Sequence, residues 1–136
     1  MREESKARAT PETFEQRCRA RVIADYQAEN PDPITVAAGE TFQISKNVFY
    51  WKDNPDWMWI WCTDQRGKSG WVPRKAIEFR SDDTTGNACY TYCATELTVV
   101  IGEELLVTQE ESGWFWCINR QGKSGWVPLD HVTLLS

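Results

Sequence analysis

The fold class predicted here is all-β, two small five-stranded barrels in tandem, and three observations predict it. The stretch GKSGWVP stands at 67–73 and again at 122–128, a spacing of 55 residues. A Trp-x-Trp-Cys run precedes each copy at the same distance: Trp59, Trp61 and Cys62 in one, Trp114, Trp116 and Cys117 in the other. Around both copies, short β-rich runs alternate with turn residues. A repeat of that period means one supersecondary unit used twice. Many short strands with regular turns mean a small barrel. The expected layout is a polar leader at 1–18, a first domain at 19–80, a linker at 81–87 and a second domain at 88–136.

Each element follows from its residues. Thr10 and Pro11 suit an N-cap and first turn, so residues 10–17 read as a short helix or an unstructured leader. Residues 21–26 (RVIADY) are the first β run. Pro31 and Pro33 exclude a central strand over the loop that follows. Residues 34–36 are extended, Gly39-Glu40 turns, and 41–45 form a strand. Residues 46–56 read as a polar loop. From 57 to 62, Trp57, Trp59 and Trp61 alternate with Met58, Ile60 and Cys62, a period of two. The aliphatic face is the expected core side and the tryptophan face the outer one. Gly67 closes a hairpin turn needing positive φ; 70–73 and 76–79 are the last strands.

Residues 81–87 (SDDTTGN) have linker composition. The second copy repeats the scheme with strands at 88–92, 97–101, 104–108, 113–118, 125–128 and 132–135. An acidic loop is expected at 109–113.

Two domains of this size sit near the lower limit for independent folding. Eight Trp, four Tyr and five Phe supply the buried area such cores need. They exceed what two small cores hide, so some rings should face a ligand. Residues 81–136 carry eight acids against two bases (Arg120, Lys123). Such a field repels nucleic acid and suits a basic peptide. No apolar run is long enough to span a membrane, and the N-terminal residues have no signal-peptide core. Five cysteines without a repeated CxxC point to reduced thiols and a cytoplasmic setting.

The ordered motifs resemble those of the SH3 domain, once in each half. Val22-Ile23-Ala24-Asp25-Tyr26 and Ala88-Cys89-Tyr90-Thr91-Tyr92 match its opening Ala-Leu-Tyr-Asp-Tyr strand. Residues 34–40 and 97–103 match its Leu-Ser-Phe-x-x-Gly-Glu segment. Trp59 and Trp114 match its tryptophan strand, and the two Gly-Trp-Val-Pro runs its Gly-aromatic-aliphatic-Pro. The resemblance implies SH3-like barrels whose aromatic groove takes a proline-rich peptide, with acidic loops holding a basic residue.

Carried over on matching positions, the better groove is that of the second half: Tyr90, Tyr92, Trp114, Trp126, Pro128 and His131, with Glu110 and Glu111 holding the cation. A secondary groove comprises Tyr26, Asp32, Asp56, Trp59, Trp71 and Pro73. It has Ala24 and Ala76 where the family places two Tyr. Its loop keeps Glu29, and Asp53 stands before its Trp. In the second half, Tyr92 to Gly102 is three residues shorter than Tyr26 to Gly39, leaving Glu96 as the loop acid.

Other readings are weaker. Gly-Lys-Ser lacks the glycine of a phosphate loop, since Cys62 and Cys117 stand there. Cys62 and Cys117 alternate inward with Ile60 and Phe115 as small core residues. One His without paired Cys ligands gives no metal site, and no constellation supports catalysis or a cofactor. Trp57 and Trp61 are either extra ligand contacts or edge packing. The expected function is therefore a non-enzymatic adaptor module binding a proline-rich, basic segment. The alternatives are a structural or regulatory module with degenerate grooves, and a bacterial cell-wall-binding SH3-like protein.

Overall fold

The structure, a computed structural model, describes residues 12–135. Twelve strands run in chain order: β1 (Glu12–Val22), β2 (Thr35–Val36), β3 (Thr41–Tyr50), β4 (Met58–Thr63), β5 (Ser69–Pro73), β6 (Ile77–Phe79), β7 (Thr85–Ala88), β8 (Tyr92–Cys93), β9 (Glu104–Glu111), β10 (Trp114–Ile118), β11 (Ser124–Pro128) and β12 (Val132–Leu134). Short 3-10 turns at Trp51–Asp53, Arg74–Ala76 and Leu129–His131 are the helical pieces among the described residues. The fold is all-β, as expected, and holds two five-stranded sheets, ordered β5-β4-β3-β7-β6 and β11-β10-β9-β1-β12.

Those orders reveal an exchange of strands between the two copies. β1, from the first copy, lies between β9 and β12 of the second, with Val22 opposite Val132 and Ala20 opposite Leu105. β7, which opens the second copy, lies between β3 and β6 of the first, with Gly86 opposite both Phe42 and Phe79. The chain therefore forms two compact units. One is Asp32–Ala94, here the contiguous unit; the other, the split unit, joins residues 12–31 to residues 95–135. These compact units do not coincide with the two sequence copies, at 19–80 and 88–136, because each sheet takes one strand from the other copy. Opening strands of the two copies share a pattern, so each fits the other's barrel.

Both crossings fall in the loop that follows an opening strand, at 31/32 and 94/95. Pro31 and Pro33 bracket the first. Proline fixes its own φ and keeps the preceding residue extended, which holds the chain straight where a hairpin would bend it.

Alternation sets the core of the split unit. Phe115 and Cys117 point inward from β10, where Trp114 and Trp116 are half-buried. They pack with Leu105, Val107, Val127, Val132, Leu97 and Val99, and with Ala20 and Val22 of the first copy. A buried Val side chain contributes about 1.5–3 kcal/mol, so Val22 ties β1 to its adopted sheet. In the contiguous unit Phe42, Ile60, Cys62, Val72 and Ile77 are buried. Trp59 is buried too, at 5 % exposure, although the tryptophan face was expected to look outward.

Three further expectations change. Residues from Glu12 are strand, where a leader was expected, with Glu12 opposite Glu110; the part of that expectation on residues 1–11 lies outside the described residues. Residues 81–87 are a tight turn and strand, where a tether was expected. Asp82 accepts hydrogen bonds from the Thr84 and Thr85 amides, and Asp83 adopts φ 60. The polar residues thus close a hairpin. The loops expected at 46–56 and 109–113 are in part strand: β3 runs to Tyr50 past a bulge, and β9 to Glu111.

Candidate functional site

In the split unit, Tyr26 follows β1 and is fixed by reciprocal backbone bonds with Val99, both 2.9 Å. Its ring meets Trp114 edge-on at 5.6 Å and His131 edge-on at 5.6 Å. Trp114 opens β10 opposite Pro128 of β11, and the 3-10 turn Leu129–His131 carries His131 back over the strand end. The Leu129 amide donates to the Gly113 carbonyl, and Asp130 lies 2.9 Å from His131 Nδ1. Tyr26, Trp114 and His131 are each half-buried, while Pro128 beneath them is fully buried. They form a part-open aromatic surface.

Acids flank it. The Tyr26 hydroxyl donates to Glu96 Oε1 at 2.5 Å. The carboxylate also accepts from the Glu29 amide. Burial holds the Glu96 carboxyl above the usual range, the nearby Glu29 charge adds to this, and the Tyr26 bond opposes it. Burial likewise raises Tyr26, followed by its bond to Glu96 and by the Glu96 and Glu29 charges. The described split unit has ten acids against five bases, the contiguous unit eight against seven. The field around Trp114 therefore favours a cation.

The matching rings of the contiguous unit are closed off. Trp59, opposite Pro73, is 5 % exposed, and Tyr90 and Tyr92 are each 4 % exposed. The Tyr92 hydroxyl donates to the Trp71 carbonyl at 2.8 Å. Trp71 stands edge-on to Trp61 at 5.1 Å, with Phe49 at 6.0 Å. Ala76, where the family has Tyr, is buried.

The expected sets were therefore partitioned wrongly. Tyr90 and Tyr92 lie with Trp59, Trp71 and Pro73, and Tyr26 lies with Trp114, Pro128 and His131, because the opening strands are exchanged. Asp32 belongs to the contiguous unit, in ion pairs with Lys68 (3.3 Å) and Arg66 (3.7 Å). Asp56 is exposed in the turn before β4, its amide donating to Asn54 Oδ1. Glu111 is buried and accepts the Ser112 hydroxyl at 2.6 Å, which removes it from the rim; Glu110 stays half-buried opposite Phe115. Trp126 is buried and packs edge-on against Trp116 at 5.2 Å, as wall and not as ligand surface.

The sequence assigned Glu29 and Glu96 to different grooves, and the structure joins them. Linear motif order carries no mark of that pairing. The signals present were the two prolines at the first crossing and the three-residue shortening of the second loop.

Two small barrels, one bearing part-open rings beside carboxylates, have the make-up of a protein-interaction module. The chain belongs to the variant SH3 domain family, whose model matches residues 19–80 and 83–135. It is 25 % identical over 125 residues to mouse SH3 and PX domain-containing protein 2B, covering 82 % of this chain and 13 % of that protein. The human protein of the same name is 24 % identical over the same coverage. The chain thus spans about an eighth of the length of these relatives. No solved structure matches. Among the described residues no helix is long and apolar enough to cross a membrane.

Proposed function

We propose that the chain is an adaptor module that binds a proline-rich segment carrying a basic residue, and that the groove of the split unit does the binding. One observation supports this above others: of the two ring sets, that of Tyr26, Trp114 and His131 is part-exposed and flanked by Glu29 and Glu96. A polyproline II segment is ordered before it binds, so flat rings hold it at little entropic cost. A ligand Arg or Lys is drawn to the two carboxylates, where it offsets their mutual repulsion.

The degenerate-groove alternative fits the contiguous unit, where Trp59, Tyr90 and Tyr92 are buried and act as core. This reading also sets the chain to work in a reducing, cytoplasmic compartment. Cys62 and Cys117 serve there as packed core thiols, pushed up to about 12 by burial.

Calorimetric titration of the intact chain with a polyproline peptide carrying one Arg, and with its Arg→Ala version, tests the proposal. The Arg peptide should bind, and Trp114→Ala should weaken it by roughly thirtyfold or more, the usual effect of losing an aromatic anchor worth about 2 kcal/mol. No binding of either peptide, or equal binding by the Trp114→Ala chain, sinks the reading.

A further inference from the structure

The exchange of strands has a simple topological equivalent. The split unit takes its strands in the chain order β1, β9, β10, β11, β12, and its connection between 31 and 95 is a complete second unit, Asp32–Ala94. Residues 23–31 form the outgoing arm of that connection and residues 95–101 its returning arm. The candidate acids sit beside the two junctions: Glu29 three residues before Asp32, and Glu96 two residues after Ala94.

The ends of the inserted barrel are laced together. Thr35 pairs with Cys93 and Val36 with Tyr92, and the Ala94 amide donates to the Ile34 carbonyl at 3.1 Å. Asp32, its first residue, is held by Lys68 and Arg66 of the β4–β5 hairpin. The Thr35 amide donates to the buried Asp64 of the same hairpin at 3.1 Å. Its two ends are therefore fixed side by side for as long as its sheet exists. The arms of the split unit, in turn, meet through Tyr26–Val99 backbone bonds, the Ala28 amide on Thr98 Oγ1 at 3.0 Å, and Tyr26 on Glu96.

We infer that the contiguous unit is a folded clasp inserted at the tip of the loop that carries Glu29 and Glu96, and that this acidic pair assembles only while the clasp is folded. An event that opens the clasp switches the site off. The physical reason is loop closure. With the clasp folded, its laced ends hand the two arms over as neighbours. Unfolded, it becomes a slack connection of 63 residues, and the local concentration of one arm at the other falls on the order of twentyfold by the three-halves power of loop length. The bonds between the arms, and the contacts each arm makes with the rest of the split barrel, then have to offset that cost. The functional meaning of the switch rests on the peptide-binding reading above; the coupling itself does not.

Amide hydrogen exchange on the full chain, followed residue by residue by NMR, tests the coupling without any ligand. Val72→Asp places a charge at a fully buried position of the contiguous unit, and Val72→Ala is the milder companion if the first variant unfolds everything. The amides of β4 and β5 report the clasp, those of Tyr26 and Val99 the closure of the arms, and those of β10 and β11 the rest of the split barrel. The expected result is that the arm amides lose protection by at least tenfold along with the clasp, while the β10–β11 ladder keeps its own. Clasp amides that exchange faster beside arm amides at their original protection overturn the proposal. The Arg-bearing polyproline peptide, added to both chains, is a separate arm. Failure to bind the unmodified chain defeats the peptide reading and leaves the exchange result standing.

Discussion

Trp59→Ala and Trp114→Ala should fail in different ways, although the two residues occupy matched places in the two copies. Trp59 is buried, so its removal leaves a cavity costing about 3–5 kcal/mol. We expect a melting transition of the contiguous unit lowered by roughly 10 °C or more. Trp114 is half-buried, so its loss should spare most of the stability and remove peptide binding. Tyr26→Phe removes the hydroxyl that holds Glu96. Since that bond lowers the Glu96 pKa against burial, the carboxyl should move further up, visible in a carbon-detected NMR titration. Acid stability separates the units. Glu96 is raised in the folded state, so its contribution is fully present below the ordinary carboxylate range and is lost as pH rises through its own value. Asp64 behaves oppositely. Burial opposes its ionisation, but bonds from the Lys68 and Thr35 amides and from Arg66 outweigh that and hold it low. Its contribution is present above the ordinary range and is lost as pH falls through its lowered value. On acidification β4–β5 should therefore lose exchange protection before β10–β11. The roles of Trp59 and Trp114 were legible as ring positions, but their difference was not, because burial depends on partners that a linear motif does not name.

Matched glycines give the sharpest test of individual elements. A Cβ on Gly125 of β11 would lie 2.7 Å from the Glu96 carbonyl carbon and 2.8 Å from the Leu97 nitrogen. Both are backbone atoms in an arm pinned by Leu97 N to Trp126 O and Trp126 N to Thr95 O. Gly125→Ala should push the returning arm off β11, cost about 1–3 kcal/mol as an overpacked site, and displace Glu96. A Cβ on Gly70, its counterpart in β5, has as its three nearest neighbours side-chain atoms of Ile34, Ala94 and Pro33 at 3.0–3.3 Å, so Gly70→Ala should cost clearly less in a urea melt. Strands with period-two alternation, such as β4 and β10, were readable from sequence because one buried face imposes the pattern. The turn at 81–84 was misread because Asp and Thr serve equally in tethers and in tight turns. Only the Asp82 bonds to Thr84 and Thr85 decide between them.

At the scale of the whole molecule, repeat, fold class and family were legible, and the connectivity was not. Two opening strands of similar pattern satisfy either barrel, so their exchange leaves hydrophobic periodicity unchanged. A protease site engineered into the exposed residues 81–84 distinguishes the arrangements. Cleavage there separates β1–β6 from β7–β12, and each barrel holds strands from both pieces. The nicked chain should run as one species on size exclusion; two separating fragments would refute the exchange. The same connectivity sets an order of events during synthesis. Residues 32–94 can close their sheet as soon as they leave the ribosome, whereas β1 emerges before them and its partners β9 and β12 emerge after them. At typical elongation rates of about 5–20 residues per second, the intervening chain keeps β1 waiting for several seconds. Throughout that interval it is an unpaired strand carrying Val22. A strand made before the contiguous unit thus finds its place after it, and a nascent neighbour on the same message is the competitor it must avoid.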